Sequence, residues 1–176
     1  MTLTSEHRLV HAPDYRSGAL LLFASTAIIL AAWGFQAAGY LPCELCELQR
    51  LAYYFAIPAG FVALVASSGG VPRLATLLYA LIALAFLANA VLAGYHAGVE
   101  WKFWEGPQTC SGTGVSLPKG AGSLIEQLKK TQAVRCDEAQ WRLFGISLSG
   151  WNALLSLWLS SLAAMTIARL RRASLN

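Results

Sequence analysis

Apolar positions along the 176-residue chain are gathered into blocks from which charge is absent. Four windows hold no Asp, Glu, Lys, Arg or His: residues 18–38, 51–67, 74–94 and 143–168, with 21, 17, 21 and 26 residues respectively. A bilayer's hydrocarbon core is about 30 Å thick and a helix rises about 1.5 Å per residue, so roughly 20 apolar residues cross it. Each window therefore predicts one spanning helix. Backbone groups in lipid must find partners within their own segment, which favours helices over irregular structure. The predicted fold is all-α: an integral membrane four-helix bundle forming a single domain over residues 1–176, with two loops on one side at 39–50 and 95–142. Too little chain remains for a second domain.

Finer patterning adds detail to this plan. Pro58 and Gly60 predict a kink or a packing gap in the second span, and Tyr53, Tyr54 and Phe55 predict an aromatic anchor near its start. Ser147, Ser149, Asn152, Ser156, Ser160 and Ser161 give the fourth span a small, polar stripe suited to a helix interface, and Asn89 in the third span reads as interhelical glue. The second loop is too long for a plain connector. Within it Ala121, Leu124, Ile125 and Leu128 recur at helical spacing opposite Glu126, Lys129 and Lys130, predicting a short amphipathic helix on the membrane surface. Gly106-Pro107, Gly112, Gly114, Pro118, Gly120 and Gly122 keep the stretch before it bendable.

Composition agrees: 56% of residues are hydrophobic and 12% charged, against about 25% charged in soluble domains. The net charge of +4 does not form the dense basic patch that nucleic acid requires. It sets orientation instead. Arg8, Arg16, Arg73, Arg169, Arg171 and Arg172 are concentrated on the side of the two tails and the short loop 68–73, which predicts both termini in the cytoplasm and the loops 39–50 and 95–142 on the outer side. A cleaved signal peptide ending near Ala37, Ala38 and Gly39 is the rival for the first span, but its apolar stretch exceeds the roughly 7 to 15 residues of such a region.

All four cysteines fall in the two outward loops: Cys43 and Cys46 in the first, Cys110 and Cys136 in the second. Random placement would do this with a chance of about 1%, so their position points to an oxidising compartment. Cys43-Glu44-Leu45-Cys46 is a C-x-x-C pair just before the second span, where first-turn amides and the positive end of the helix dipole favour a thiolate at Cys46. Arg50 adds fixed positive charge one turn on, while Glu44 and Glu47 oppose it. Cys110 and Cys136 read either as a static staple, worth roughly 3 to 4 kcal/mol, or as the second half of a thiol relay. A zinc site made by all four is disfavoured, because such sites pair close cysteines and Cys110 and Cys136 are far apart. A relay needs a final two-electron acceptor, and a C-x-x-C at the lipid boundary suits a quinone.

Phe35-Gln36, Pro42-Cys43-Glu44-Leu45-Cys46 with Arg50, Tyr95-His96, Cys110 and Cys136-Asp137-Glu138-Ala139-Gln140-Trp141 together resemble the DsbB family, itself the standard example of how a bacterial periplasm is kept oxidising. Gly94 to Glu100 followed by Trp104-Glu105-Gly106-Pro107 looks like the loop of many members. The resemblance implies a protein-dithiol:quinone oxidoreductase of the bacterial inner membrane. A thioredoxin-fold, DsbA-like periplasmic partner would attack Cys110, the freed Cys136 would attack Cys43, and Cys46 would pass electrons to ubiquinone or menaquinone held by Arg50. Glu44, Glu47 and Gln49 depart from the pattern, which often has apolar residues around the C-x-x-C and an acidic residue before the Arg. The vitamin K quinone reductases place their C-x-x-C after the loop pair; the order here is reversed.

Gln36 is placed either to bond a quinone carbonyl or to cap its span, and His96 either to assist a quinone proton or to sit as an interface residue. Trp101, Phe103 and Trp104 read as an aromatic belt. The rival from another class is a scaffolding membrane protein with two static disulfides.

Overall fold

The computed structural model describes residues 13–107 and 136–173. Four helices dominate: α1 Pro13–Ala37, α2 Glu44–Ser68, α3 Pro72–Glu100 and α4 Leu148–Ala173. Each is long and apolar enough to cross a membrane, so the protein is the all-α four-helix membrane bundle that the charge-free windows predict. The amphipathic helix expected around residues 121–130 lies outside the described residues.

The helices differ from the windows at the end that carries the cysteines. α2 begins at Glu44 rather than 51, and α3 runs past 94 to Glu100. Charge marks where a helix leaves lipid, not where its hydrogen bonding stops, so the windows end too early. The fourth helix shows the opposite. Residues 143–147 are apolar enough to extend a span, yet they form an antiparallel hairpin, β1 Arg142–Leu143 and β2 Ile146–Ser147. Its two-residue loop, Phe144-Gly145, has φ of 53° and 82°, the doubly positive geometry that a tight hairpin needs. α4 therefore starts only at Leu148.

Packing is carried by small residues between a few large ones. Ala56, Ala63 and Ala75 are fully buried beside Leu21, Tyr79, Ile82, Phe86 and Leu159, and the rings of Tyr53 and Phe86 meet edge-on at 5.2 Å. Small side chains let membrane helices approach closely, and polar ones bond across the gap. Asn89 Nδ2 donates to Ser156 Oγ at 2.9 Å, and Ser160 Oγ donates to the Ala83 carbonyl at 2.9 Å. Asn89 is the interhelical glue that its position predicts, and Ser156 and Ser160 make the expected α3–α4 interface. The outside is apolar: Phe23, Val91 and Leu84 are 74%, 70% and 62% exposed, the reverse of a water-soluble surface. Pro58 stays inside α2, and Pro72 opens α3 where a missing N–H costs nothing.

Candidate active site

The site forms where the start of α2 meets the end of α3. Cys43 is the N-cap of α2, in extended backbone, and its sulfur accepts from the Cys46 amide at 3.3 Å. Starting the helix at Glu44 thus directs the first-turn amide to Cys43, and not to Cys46 as the sequence alone suggests. Cys43 and Cys46 are free thiols with their sulfurs 2.9 Å apart. The hydrogen bond from Cys46 is the main influence holding the Cys43 thiol well below the ordinary thiol range; burial opposes it, and His96 adds to it. Glu44 and Glu47 do not reverse that balance. Glu47 instead lies 3.8 Å from Arg50.

α3 supplies the other wall. Because it continues to Glu100, His96 and Glu100 lie one turn apart and are both buried. His96 Nε2 is 3.7 Å from Cys43 Sγ and 3.8 Å from Glu100 Oε1. Glu100 Oε2 accepts a short hydrogen bond from the Ser149 hydroxyl at the start of α4. On the far side of the ring, Gln49 Nε2 sits 2.9 Å from Nδ1. Asn152 Nδ2 donates to Gln49 Oε1 at 2.7 Å, and the Tyr53 hydroxyl donates to Asn152 Oδ1 at 2.6 Å. A hydrogen-bonded chain therefore runs from α2 through α4 to the ring and ends at Cys43.

Cys136 comes in from the second loop. It is 1% exposed, and its sulfur, Cys43 Sγ and a His96 ring nitrogen all lie within 4.8 Å of one another. Cys136 is disulfide-bonded, and its bond partner lies outside the described residues, as does Cys110. Three groups this close also meet the spacing of a metal centre, but a disulfide sulfur lacks the thiolate character of a ligand, so the trio has the geometry of exchange. Several contacts hold the loop there. Lys102 Nζ pairs with Asp137 at 2.7 Å, Gln140 Nε2 donates to the Leu41 carbonyl at 2.8 Å, and Trp141 packs on Phe35 with ring centres 5.3 Å apart.

Beside the sulfurs a cavity of about 290 Å³ opens between α1, α2 and α4, near the lower end of ligand pockets, roughly 300 Å³. Cys46, Arg50, His96, Glu100, Trp141 and Trp151 are on its wall, among mainly apolar neighbours. Gln36 is not on that wall. Its carbonyl oxygen accepts from Arg50 Nη1 at 2.7 Å, so it orients the guanidinium. The structure thus gathers Cys43, Cys46, Cys136, His96 and Arg50, with Gln36 behind Arg50. Trp104 folds back on α3, donating to the Tyr95 carbonyl at 3.0 Å and stacking on Tyr95, in keeping with an interfacial belt. Sequence reasoning missed Glu100, and it treated Gln49 only as a departure and Asn152 only as bundle polarity. The i, i+4 spacing of His96 and Glu100 was the available signal, hidden by ending the span at 94.

A four-helix membrane protein with a C-x-x-C of two free thiols against a third, disulfide-bonded cysteine belongs to the class that carries out thiol–disulfide chemistry at a lipid boundary. The model of one family, Disulfide bond formation protein DsbB, matches residues 15–166, and the chain belongs to that family. It is accordingly a multi-pass membrane oxidoreductase of disulfide bond formation. No curated protein and no solved structure matches it.

Proposed function

We propose that the protein reoxidises a DsbA-like, thioredoxin-fold dithiol protein in the periplasm and passes the electrons through its two cysteine pairs to a membrane quinone. The observation that carries this reading is the approach of Cys136 to Cys43, with Cys46 on the wall of an apolar cavity beside Arg50. In the exchange, the Cys136 thiolate attacks Cys43 Sγ of an oxidised Cys43–Cys46 pair. The Cys136–Cys43 bond forms, the Cys43–Cys46 bond breaks, and the electron pair leaves on Cys46. Cys110, released when the partner closes its own disulfide, then attacks Cys136: the Cys110–Cys136 bond forms, the Cys136–Cys43 bond breaks, and the electron pair leaves on Cys43.

The donor set suits a quinone head group: a guanidinium for a carbonyl oxygen, indole and aliphatic walls for a flat apolar ring, and a sulfur at the edge. Ubiquinone or menaquinone held there supplies a two-electron, two-proton acceptor for the reduced Cys43–Cys46 pair. Arg50, steadied by Gln36, binds and orients, and its charge stabilises negative charge on a carbonyl oxygen. His96 holds an exchangeable proton beside Cys43, and Glu100 stands next to it on the cavity wall. The scaffolding alternative has no use for two free thiols beside a disulfide.

The test supplies reduced partner and quinone to the purified membrane protein and follows quinone absorbance. Wild type should reduce quinone, and Cys46→Ser should not. No reduction by wild type, or equal reduction by Cys46→Ser, sinks the relay.

A further inference from the structure

Gln49, one residue before Arg50, is buried against the His96 ring. An amide nitrogen only donates, so the 2.9 Å contact from Gln49 Nε2 makes His96 Nδ1 an acceptor. The proton of the neutral ring then sits on Nε2, which faces Cys43 Sγ at 3.7 Å and Glu100 Oε1 at 3.8 Å. Gln49 does not choose its own orientation, since Asn152 Nδ2 claims its oxygen and the Tyr53 hydroxyl claims the Asn152 oxygen. Gln49 is 5% exposed, with both ends of its amide engaged.

We infer that Gln49 is a positioning residue for thiol exchange: through His96 it aims an N–H at Cys43 Sγ, so that the ring serves this sulfur as a hydrogen-bond donor and not as a base. A donor at Cys43 favours its anion, which speeds its departure whenever a mixed disulfide with Cys136 is resolved. The Cys43 thiol is held below its ordinary range first by Cys46 and, less strongly, by the hydrogen bond with His96. A carboxylate at position 49 accepts only; it draws a hydrogen bond from Nδ1–H, which leaves the Nε2 lone pair facing Cys43. The titratable groups around the ring are Cys43 from the start of α2 and Glu100 on α3 itself; the second loop brings Cys136, held in a disulfide, and α4 brings the neutral Ser149 and Asn152.

The inference rests on reading Cys43 as an exchanging thiol, and it is independent of quinone. The test uses the full-length protein in detergent, labelled with nitrogen-15 in histidine. Chemical shifts of the His96 ring nitrogens report the tautomer, and mass spectrometry of peptides alkylated across a pH series reports the Cys43 midpoint. Wild type should show the Nε2–H tautomer. Gln49→Leu should lose that preference and raise the Cys43 midpoint by about one pH unit, the size of one hydrogen bond to an ionised group. Gln49→Glu, which keeps the shape, should place the neutral ring's proton on Nδ1, so a misfolded Leu variant does not leave the question open. An Nδ1–H tautomer in wild type, or an unchanged Cys43 midpoint in a helical Gln49→Leu protein, overturns the inference. Wild type that fails to reduce quinone yet gives the expected tautomers and midpoints fails the proposed electron acceptor and supports the role of Gln49.

Discussion

Cys43 is at once an N-cap, a neighbour of a buried histidine and a sulfur within 4.8 Å of Cys136. Its depressed pKa has a direct pH consequence: the thiolate forms below the ordinary thiol range and is lost only when pH falls through the lowered value. Alkylation of reduced Cys43 by a small permeant reagent should therefore stay flat as pH drops from about 8.5, the usual thiol value, to about 6. A tenfold fall per unit over that range would mark an ordinary thiol. Arg50→Ala should cost quinone use about 3 kcal/mol or less, read as a loss in kcat/KM for quinone, while the rate of mixed-disulfide formation with the partner holds. Loss of partner exchange with intact quinone kinetics would remove Arg50 from the role given to it. At this scale much was legible in the sequence. Cysteine type and spacing single out Cys43 and Cys46, which the fold brings together, and Arg50 follows from helical spacing. Gln49 and Asn152 were opaque because their meaning comes from a ring on another helix, brought to them only by the fold.

Among the elements, α3 does the most to build the site, because its last turn carries His96 and Glu100 inward while Gly98 makes room for Trp104. A Cβ at Gly98 would fall inside the Trp104 indole, whereas one at Gly94, a turn earlier, meets nothing. Gly98→Ala should thus cost about 1 to 3 kcal/mol, the usual penalty of overpacking, and Gly94→Ala should be close to neutral. Thermal unfolding followed by helix signal compares them, and equal midpoints would mean that Trp104 does not pack on α3 as described. Helix existence was plain from the charge-free windows, but helix ends were not. Hydropathy senses lipid, while the ends are set by hydrogen bonding and by a backbone turn at Phe144-Gly145 whose positive φ no apolar count registers.

For the whole molecule, the positive-inside distribution predicts the cysteine loops on the outer side. An impermeant thiol reagent added to intact, reduced cells should label them from outside. Protection from that reagent, with labelling by a permeant one, would invert the topology. The bundle itself was readable because burial in lipid imposes one simple rule on composition. The meeting of Cys136 with Cys43 was legible only through the family resemblance and not from spacing, since the two are separated by about half of the chain and joined by contacts of single side chains.

One of those contacts reaches beyond geometry. The Lys102–Asp137 pair that pins the second loop is 62% exposed at the lysine, so its strength belongs partly to the medium. Surface pairs of this kind contribute about 0 to 1 kcal/mol and weaken as salt shortens the screening length below about 8 Å. At most this alters the docked population of the loop by a factor of about five. The protein therefore carries a dimmer and not a switch: the salt around this pair adjusts how often Cys136 stands against Cys43, without touching a sulfur.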